Sequence, residues 1–184
     1  NIRIISADMN ENSAGLYFSD YSYFLPSIQD KRYVEILIKI CKTEKVDIIF
    51  IGSEPELRFL INKVSDIEKQ INGTFVISRA ELMNACLDKW AMIKYLRYHN
   101  LNCPETVLAN DEKGKEKLIN KFGFPLFIKP RFGSGSKDTF VIKNIEELNF
   151  FSKYVPKAVV QQYLSHNEGE YTVGSYTTKK GRVM

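Results

Sequence analysis

Two lysines, Lys129 and Lys137, bracket the run Gly133-Ser134-Gly135-Ser136. Residues this small leave consecutive backbone N–H groups open to an approaching anion, and the lysines set two point charges beside them. Phosphate suits such a nest, and a chain of phosphates points to a nucleotide. The pattern is not a P-loop, because no Gly-Lys-Ser or Gly-Lys-Thr opens a helix and β-prone residues follow instead. It reads as a glycine-rich hairpin that folds over phosphates, with a lysine from the neighbouring strand. A flexible basic surface hairpin is the other reading of the same residues. In either, Lys137 reads as a mobile rim charge rather than a ligand.

The elements that must position this loop are legible on both sides of it. Gly123 ends a helix, Leu126 to Ile128 form a buried strand with Lys129 at its end, and Thr139 to Ile142 form the return strand. Upstream, Ile2 to Ser6 read as a strand and 9 to 29 as an aromatic-rich connection. Asp30 reads as the cap of a helix to about Glu44, with Val34, Leu37, Ile38 and Cys41 along one face. Val46 to Ile51 is a continuous apolar run, the kind buried on both faces of a parallel sheet. A helix carrying Leu57, Leu60, Ile61 and Val64 follows, then an Asn72-Gly73 turn and a strand over Thr74 to Ile77. That alternation is the doubly wound α/β rhythm. Ser78 and Glu81 have capping-box spacing, and Asp88 starts a helix that Asn100 to Pro104 breaks. From there the texture is α+β: a strand at Thr106 to Leu108, a charged helix near 112 to 121, the phosphate hairpin, a helix near 145 to 153 and a strand over Val159 to Leu164. Glu170 to Thr178 alternates and is expected to pair, through Lys179-Lys180-Gly181, with a strand starting at Arg182. The expected boundary lies at residue 78, giving regions 1–77 and 78–184.

Composition narrows the function classes. The 184 residues are 44% hydrophobic and 26% charged, with a formal charge of +4. Basic and acidic residues are interspersed, leaving no stripe to track a nucleic acid backbone. Cys41, Cys86 and Cys103 are far apart and lack metal-ligand spacing, as do His99 and His166, so reduced thiols in a cytoplasmic protein are expected and a zinc site is not. No apolar run approaches the roughly 20 residues of a membrane span. The opening strand, with no methionine before it, reads as a trimmed N-terminus.

Taken together these residues resemble the ATP-grasp superfamily, in particular its carbamoyl-phosphate-synthase-like branch of carboxylate–amine ligases. Ile5-Ser6-Ala7-Asp8 and Val46-Asp47-Ile48-Ile49-Phe50-Ile51-Gly52-Ser53-Glu54 are similar to strands of that family's Rossmann-like preceding domain. Asp88-Lys89 resembles its Asp-Lys pair at a helix start. Gly123-Phe124-Pro125-Leu126-Phe127-Ile128-Lys129-Pro130 with the Gly/Ser loop is the most specific match. Val159-Val160-Gln161-Gln162-Tyr163-Leu164 resembles the strand that meets adenine, and Glu170-Tyr171-Thr172-Val173 the glutamate-bearing strand after it. The implied fold is α/β: a Rossmann-like parallel-sheet domain lacking its first strand over 1–77, then a truncated α+β ATP-grasp lobe over 78–184.

The resemblance implies ATP as the nucleotide, with Lys129 on its α- and β-phosphates, Lys89 assisting, and the backbone of Gly133, Ser134, Gly135 and Ser136 closing over them. The Gln161 carbonyl would accept from the adenine amino group, the Tyr163 or Leu164 backbone would read the ring edge, and Glu170 would hold the ribose hydroxyls. The family often has Glu where Gln161 stands. Each position has a plainer alternative: Lys89 as a solvated helix lysine, Gln161 and Gln162 as the outward and inward residues of an edge strand, Glu170 as a cross-hairpin partner of Lys180. Trp90 and Tyr95 read as core. The implied reaction activates a carboxylate as an acyl phosphate for attack by an amine or ammonia. The alternatives are a kinase-like phosphotransferase and a non-catalytic ATP-binding module. Small carboxylates and amines are the expected partners, with neither nucleic acid nor membrane, and a homodimer is left open. The family's magnesium ligands lie beyond Met184 by resemblance, so this length alone is expected not to turn over, and no catalytic residue is assigned.

Overall fold

The computed structural model describes residues 2–165, 167, 169–178 and 181–183. The chain divides into two compact units, one of Asn1–Leu101 with Arg131–Lys137 and one of Asn102–Pro130 with Asp138–Met184.

The first unit is built from parallel strands and helices. Strand β1 (Ile5–Asp8), a short helix α1 (Ala14–Tyr17) and β2 (Tyr21–Phe24) come first, and β2 runs parallel to β1 with Ile5 opposite Tyr21. Helix α2 (Tyr33–Thr43) follows, then β3 (Ile48–Ile49), α3 (Glu54–Leu60), α4 (Val64–Glu68) and β4 (Thr74–Phe75), with β4 parallel to β3. Helices α5 (Ala80–Cys86) and α6 (Lys89–Tyr98) complete the unit. On α2 the buried positions are Tyr33, Leu37, Ile40 and Cys41, one stripe at helical spacing. That stripe packs with Leu60, Val64, Ile67, Ile71 and Phe75, and Ile5, Tyr23, Val46, Ile49 and Ile51 lie against the same core. Burial among these side chains pushes the Cys41 thiol up from its ordinary range, whereas Cys86 is exposed.

Several local expectations change here. The stretch read as a connection contains both α1 and β2. The apolar run after Val46 is not covered on both faces: Ile49 and Ile51 pack on the core, while Ile48 is 59% and Phe50 75% exposed. The helices line one side of these strands, and the pleat sends alternate residues to the other. Helix α2 starts at Tyr33, because Asp30 forms a turn instead of a cap: its carboxylate accepts from the Arg32 amide at 2.8 Å and its carbonyl from Tyr33 at 3.0 Å. Helix α5 has Arg79 at its cap with no side-chain bond. Ser78 sits one residue too early for its hydroxyl to meet the second and third helical amides.

The second unit holds β5 (Thr106–Leu108), α7 (Glu112–Phe122), β6 (Leu126–Pro130), β7 (Phe140–Ile142), α8 (Ile145–Tyr154) and β8 (Ala158–Gln162). Its four strands pair antiparallel in the order β5-β8-β6-β7. Asp111 and Asn144 cap the two helices through the amides of Gly114 and Glu147, each at 2.9 Å. Gly123, at φ +65, ends α7 in a conformation that favours glycine. Leu118 and Leu148 from the helices pack with Leu126, Ile128, Ile142 and Val160 from the sheet. Period-two alternation therefore points Leu126 and Ile128 into the core and turns Phe127 and Lys129 to the opposite face. Beyond β8 the expected hairpin is reduced to a bridge between Thr177 and Val183, and residues 170–176 lie outside any strand. Lys179 and Lys180 lie outside the described residues.

Gly73 packs so that a Cβ there would stand 2.4 Å from the Val46 carbonyl oxygen, whereas at Gly52 a Cβ meets nothing within 4 Å. Gly73→Ala is expected to destabilise the chain by roughly 1–3 kcal/mol, and Gly52→Ala to stay within about 0.5 kcal/mol of wild type. Chemical denaturation of the two variants checks this; equal midpoints would contradict it.

Candidate nucleotide site

In the first unit the site is built around residues 131–137, which leave β6 and return at β7. Gly133 (φ +105) and Gly135 (φ +70) take left-handed backbone conformations, and Ser136 (φ +55) joins them. Glycine adopts these angles without strain, and turning them in sequence exposes amides along the loop. Gly133 to Ser136 are all exposed.

The start of α6 meets this loop. Asp88 caps the helix, its carboxylate accepting from the amides of Trp90 at 3.0 Å and Ala91 at 3.3 Å. The same carboxylate takes two bonds from the Arg131 guanidinium, Nε and Nη2 each at 2.6 Å. The Lys89 amide donates to the Arg131 carbonyl at 3.0 Å, and the Lys89 ammonium to the Gly133 carbonyl at 2.6 Å. Burial lowers the Lys89 pKa and Arg58 adds to that, against the raising effect of Glu54 and Asp88. Burial works on Asp88 in the raising direction, yet Arg131 and the helix amides outweigh it and hold its pKa below the ordinary 3.8.

Beside the loop lies a cavity of about 410 Å³, lined by Glu54, Pro55, Arg58, Phe59, Gly133 and Ser134 among others. Arg58 bonds to Glu54 at 2.9 Å and to the Leu87 carbonyl at 2.9 Å. Arg58, then the Ser134 hydroxyl, hold the Glu54 carboxyl below its usual range. Phe132 takes guanidinium groups from Arg58 at 5.4 Å and Arg131 at 5.2 Å from its ring centre.

In the second unit, Lys129 lies opposite Val159 and Phe127 opposite Gln161, so these four share the sheet face turned away from the helices. Gln161 is buried, and its NH₂ donates to the Thr106 hydroxyl at 2.9 Å. Strand β8 lies between β5 and β6, not at an edge, so Gln161 is covered and Gln162 is the half-buried one. Tyr163, half-buried, and Leu164, exposed, follow directly; Glu170 is exposed outside any strand. Trp90 and Tyr95 are half-buried on α6.

Of the residues singled out in the sequence, Lys89 and Gly133 to Ser136 thus meet in the first unit, and Lys129 and Gln161 share a face in the second. Sequence reasoning assigned nothing to Arg131, Glu54, Arg58 or Thr106. The available signal was adjacency: Arg131 stands two residues before Gly133, and Asp88 one before Lys89.

The family model for the PylC-like N-terminal domain matches residues 1–77, and the ATP-grasp domain model matches residues 86–177. The chain belongs to the ATP-grasp family. A D-alanine–D-alanine ligase of Clostridium botulinum is 32% identical over 88 residues, 45% of this chain and 29% of that ligase. The carbamoyl phosphate synthase large chain of Helicobacter pylori is 26% identical over 161 residues, 84% of this chain and 14% of the synthase. The chain thus spans less than a third of either relative's length. Among solved structures, N5-carboxyaminoimidazole synthetase from Staphylococcus aureus complexed with ADP superposes with TM-score 0.68 at 14% identity, over 98% of this chain and 45% of that one. The biotin carboxylase domain dimer of Hydrogenobacter thermophilus 2-oxoglutarate carboxylase, with MgADP and bicarbonate, gives 0.65 at 14% identity over 90% and 40%. These likenesses show the ATP-grasp fold, and the sequence relatives are ATP-grasp ligases. No helix among the described residues is long and apolar enough to cross a membrane.

Because the folded pKa of Asp88 lies below its ordinary 3.8, the ion pair stabilises the ATP-grasp chain fully above about pH 4 and less as pH falls through the lowered value. Asp88→Asn keeps a capping side chain but loses the charge. It is expected to melt below wild type at about pH 6, with the gap narrowing below about pH 4. A gap constant across that range in thermal melts would contradict the assignment.

Proposed function

We propose that this chain is the ATP-binding part of a ligase that activates a carboxylate as an acyl phosphate for attack by an amine or ammonia. The observation that carries the reading is the Lys89 ammonium 2.6 Å from the carbonyl of Gly133, a residue 44 positions away on a loop of exposed glycines and serines. A helix lysine brought to that loop is more than the solvated charge of the plainer reading.

In this proposal Lys129 holds the α- and β-phosphates, and Lys89 adds a second positive charge. The amides of Gly133, Ser134, Gly135 and Ser136 take up the remaining oxygens. A cation beside phosphate is worth most where water is excluded, since charge developing on the transferred group is then offset by fixed groups. Gln161 serves the base: with its NH₂ committed to Thr106, the carbonyl arm of the amide is the one to accept from the adenine amino group. The Tyr163 or Leu164 backbone reads the ring edge, and Glu170 takes the ribose hydroxyls through its two acceptor oxygens. A donor set of cations and backbone amides suits the charge of a nucleotide's phosphates. Among the described residues no group of three or more His, Cys, Asp or Glu side chains could hold a metal ion, and no role proposed here runs through magnesium. Small-molecule carboxylates and amines as substrates belong to the same proposal.

Lys129→Ala is expected to weaken ADP binding about tenfold or more, the loss of a charge-assisted contact of roughly 1.5–3 kcal/mol. Titration calorimetry of wild type and variant tests it. Unchanged affinity in the variant would remove Lys129 from the site, and no binding by wild type would overturn the nucleotide reading.

A further inference from the structure

The glycine-rich loop leaves one strand of the antiparallel sheet and returns to the next, yet residues Arg131–Lys137 group with the first unit. A small set of bonds accounts for this. Arg131 makes three of them to the first residues around α6: two from its guanidinium to Asp88 and one through its carbonyl to the Lys89 amide. Asp88 is meanwhile bound to the helix amides of Trp90 and Ala91. One carboxylate therefore ties the loop to the helix start, and Lys89 lies directly between the two attachments.

We infer that Arg131 is a positioning residue of the proposed nucleotide site, pinning the glycine-rich loop to Asp88 so that the loop and the Lys89 ammonium stay within one bond of each other. The inference rests on the nucleotide reading above. A loop of glycine and serine loses much conformational freedom on ordering, and a lysine side chain adds to that cost. Ordering both before the ligand arrives lowers the cost of binding. The planar guanidinium fork matches a carboxylate through two parallel bonds, which an ammonium cannot reproduce. The pair is also partly shielded, with side chains 30% and 15% exposed, where geometry counts for more than in an open surface pair. Phe132, whose ring meets the guanidinium groups of both Arg131 and Arg58, adds contacts at the next residue along. Lys89 then has a releasable partner. Its ammonium rests on the Gly133 carbonyl, and a phosphate oxygen, a charged acceptor, would take over that bond while the Asp88–Arg131 pin stays closed.

The test uses the chain with ADP as probe, in Arg131→Lys, Asp88→Asn, Lys89→Met and the double variant Arg131→Lys/Lys89→Met. Arg131→Lys, which keeps the charge and loses the fork, is expected to weaken ADP binding roughly tenfold, and Asp88→Asn to do the same. In the Lys89→Met background the Arg131→Lys penalty is expected to shrink to about threefold, because part of the effect of Arg131 runs through Lys89 and the rest through the loop amides. Amide exchange without nucleotide adds a second readout: the peptide covering 131–137 should exchange faster in Arg131→Lys, with the remaining peptides unchanged. Additive penalties, or unaltered exchange in that peptide, would overturn the positioning role while leaving wild-type ADP binding intact. Absence of ADP binding by wild type would overturn the nucleotide reading and this inference with it. Circular dichroism of each variant separates these outcomes from misfolding, and Asp88→Asn attacks the same pair from the helix side if Arg131→Lys does not fold.

Discussion

The Asp88 carboxylate accepts from two helix amides and from both arms of the Arg131 fork, and the arrangement of the loop follows from that convergence. A carboxylate has room for about four such bonds, so one side chain can end a turn, start a helix and fasten a residue 43 positions further along. With Arg131 held, the loop's first carbonyls face Lys89. Three of the loop residues, Gly133, Gly135 and Ser136, sit at positive φ, and the Arg131 attachment fixes where that turn begins.

The second unit solves a different problem, that of delivering a cation at the end of a buried strand. Leu126 and Ile128 are fully buried, which fixes the register of β6 against β8 and β7, because a slip of one residue would exchange the core and the outer face. Lys129 is consequently turned away from the helices and kept beside Val159. Gln161 is placed by the same ladder. A buried amide calls for a hydrogen-bond partner, and Thr106, brought alongside by β5, takes a bond from its NH₂.

Much of this was readable beforehand. Helices α7 and α8, the strands on either side of the loop and the Asp88 cap come from local signals: capping residues, a terminal glycine, and apolar alternation. The misreadings share a cause. Helical caps at Asp30 and Ser78 failed because capping depends on where the first helical turn begins, to within one residue, and the core sets that point. Strand β2 was missed because its Tyr21-Ser22-Tyr23-Phe24 run owes its pairing to β1, not to its own pattern. The plainer alternative of an edge strand for Gln161 fails because its neighbour β5 comes from more than fifty positions earlier, out of reach of local pattern. The ion pair of Asp88 with Arg131 escaped notice for the same reason: two ordinary charges, far apart, each with many other possible partners.

The sequence alone determined the elements and the residue types at the loop, since helix periodicity, strand alternation and the conformational freedom of glycine act over a few residues. It also carried enough of the ATP-grasp pattern to place the chain in its family. Only the tertiary structure decided which strand lies inside the sheet, which face of β3 is left bare, and that Lys89 rather than another basic residue reaches Gly133. Those outcomes depend on contacts between distant segments, where packing and a single shared carboxylate choose among partners that local chemistry leaves equivalent.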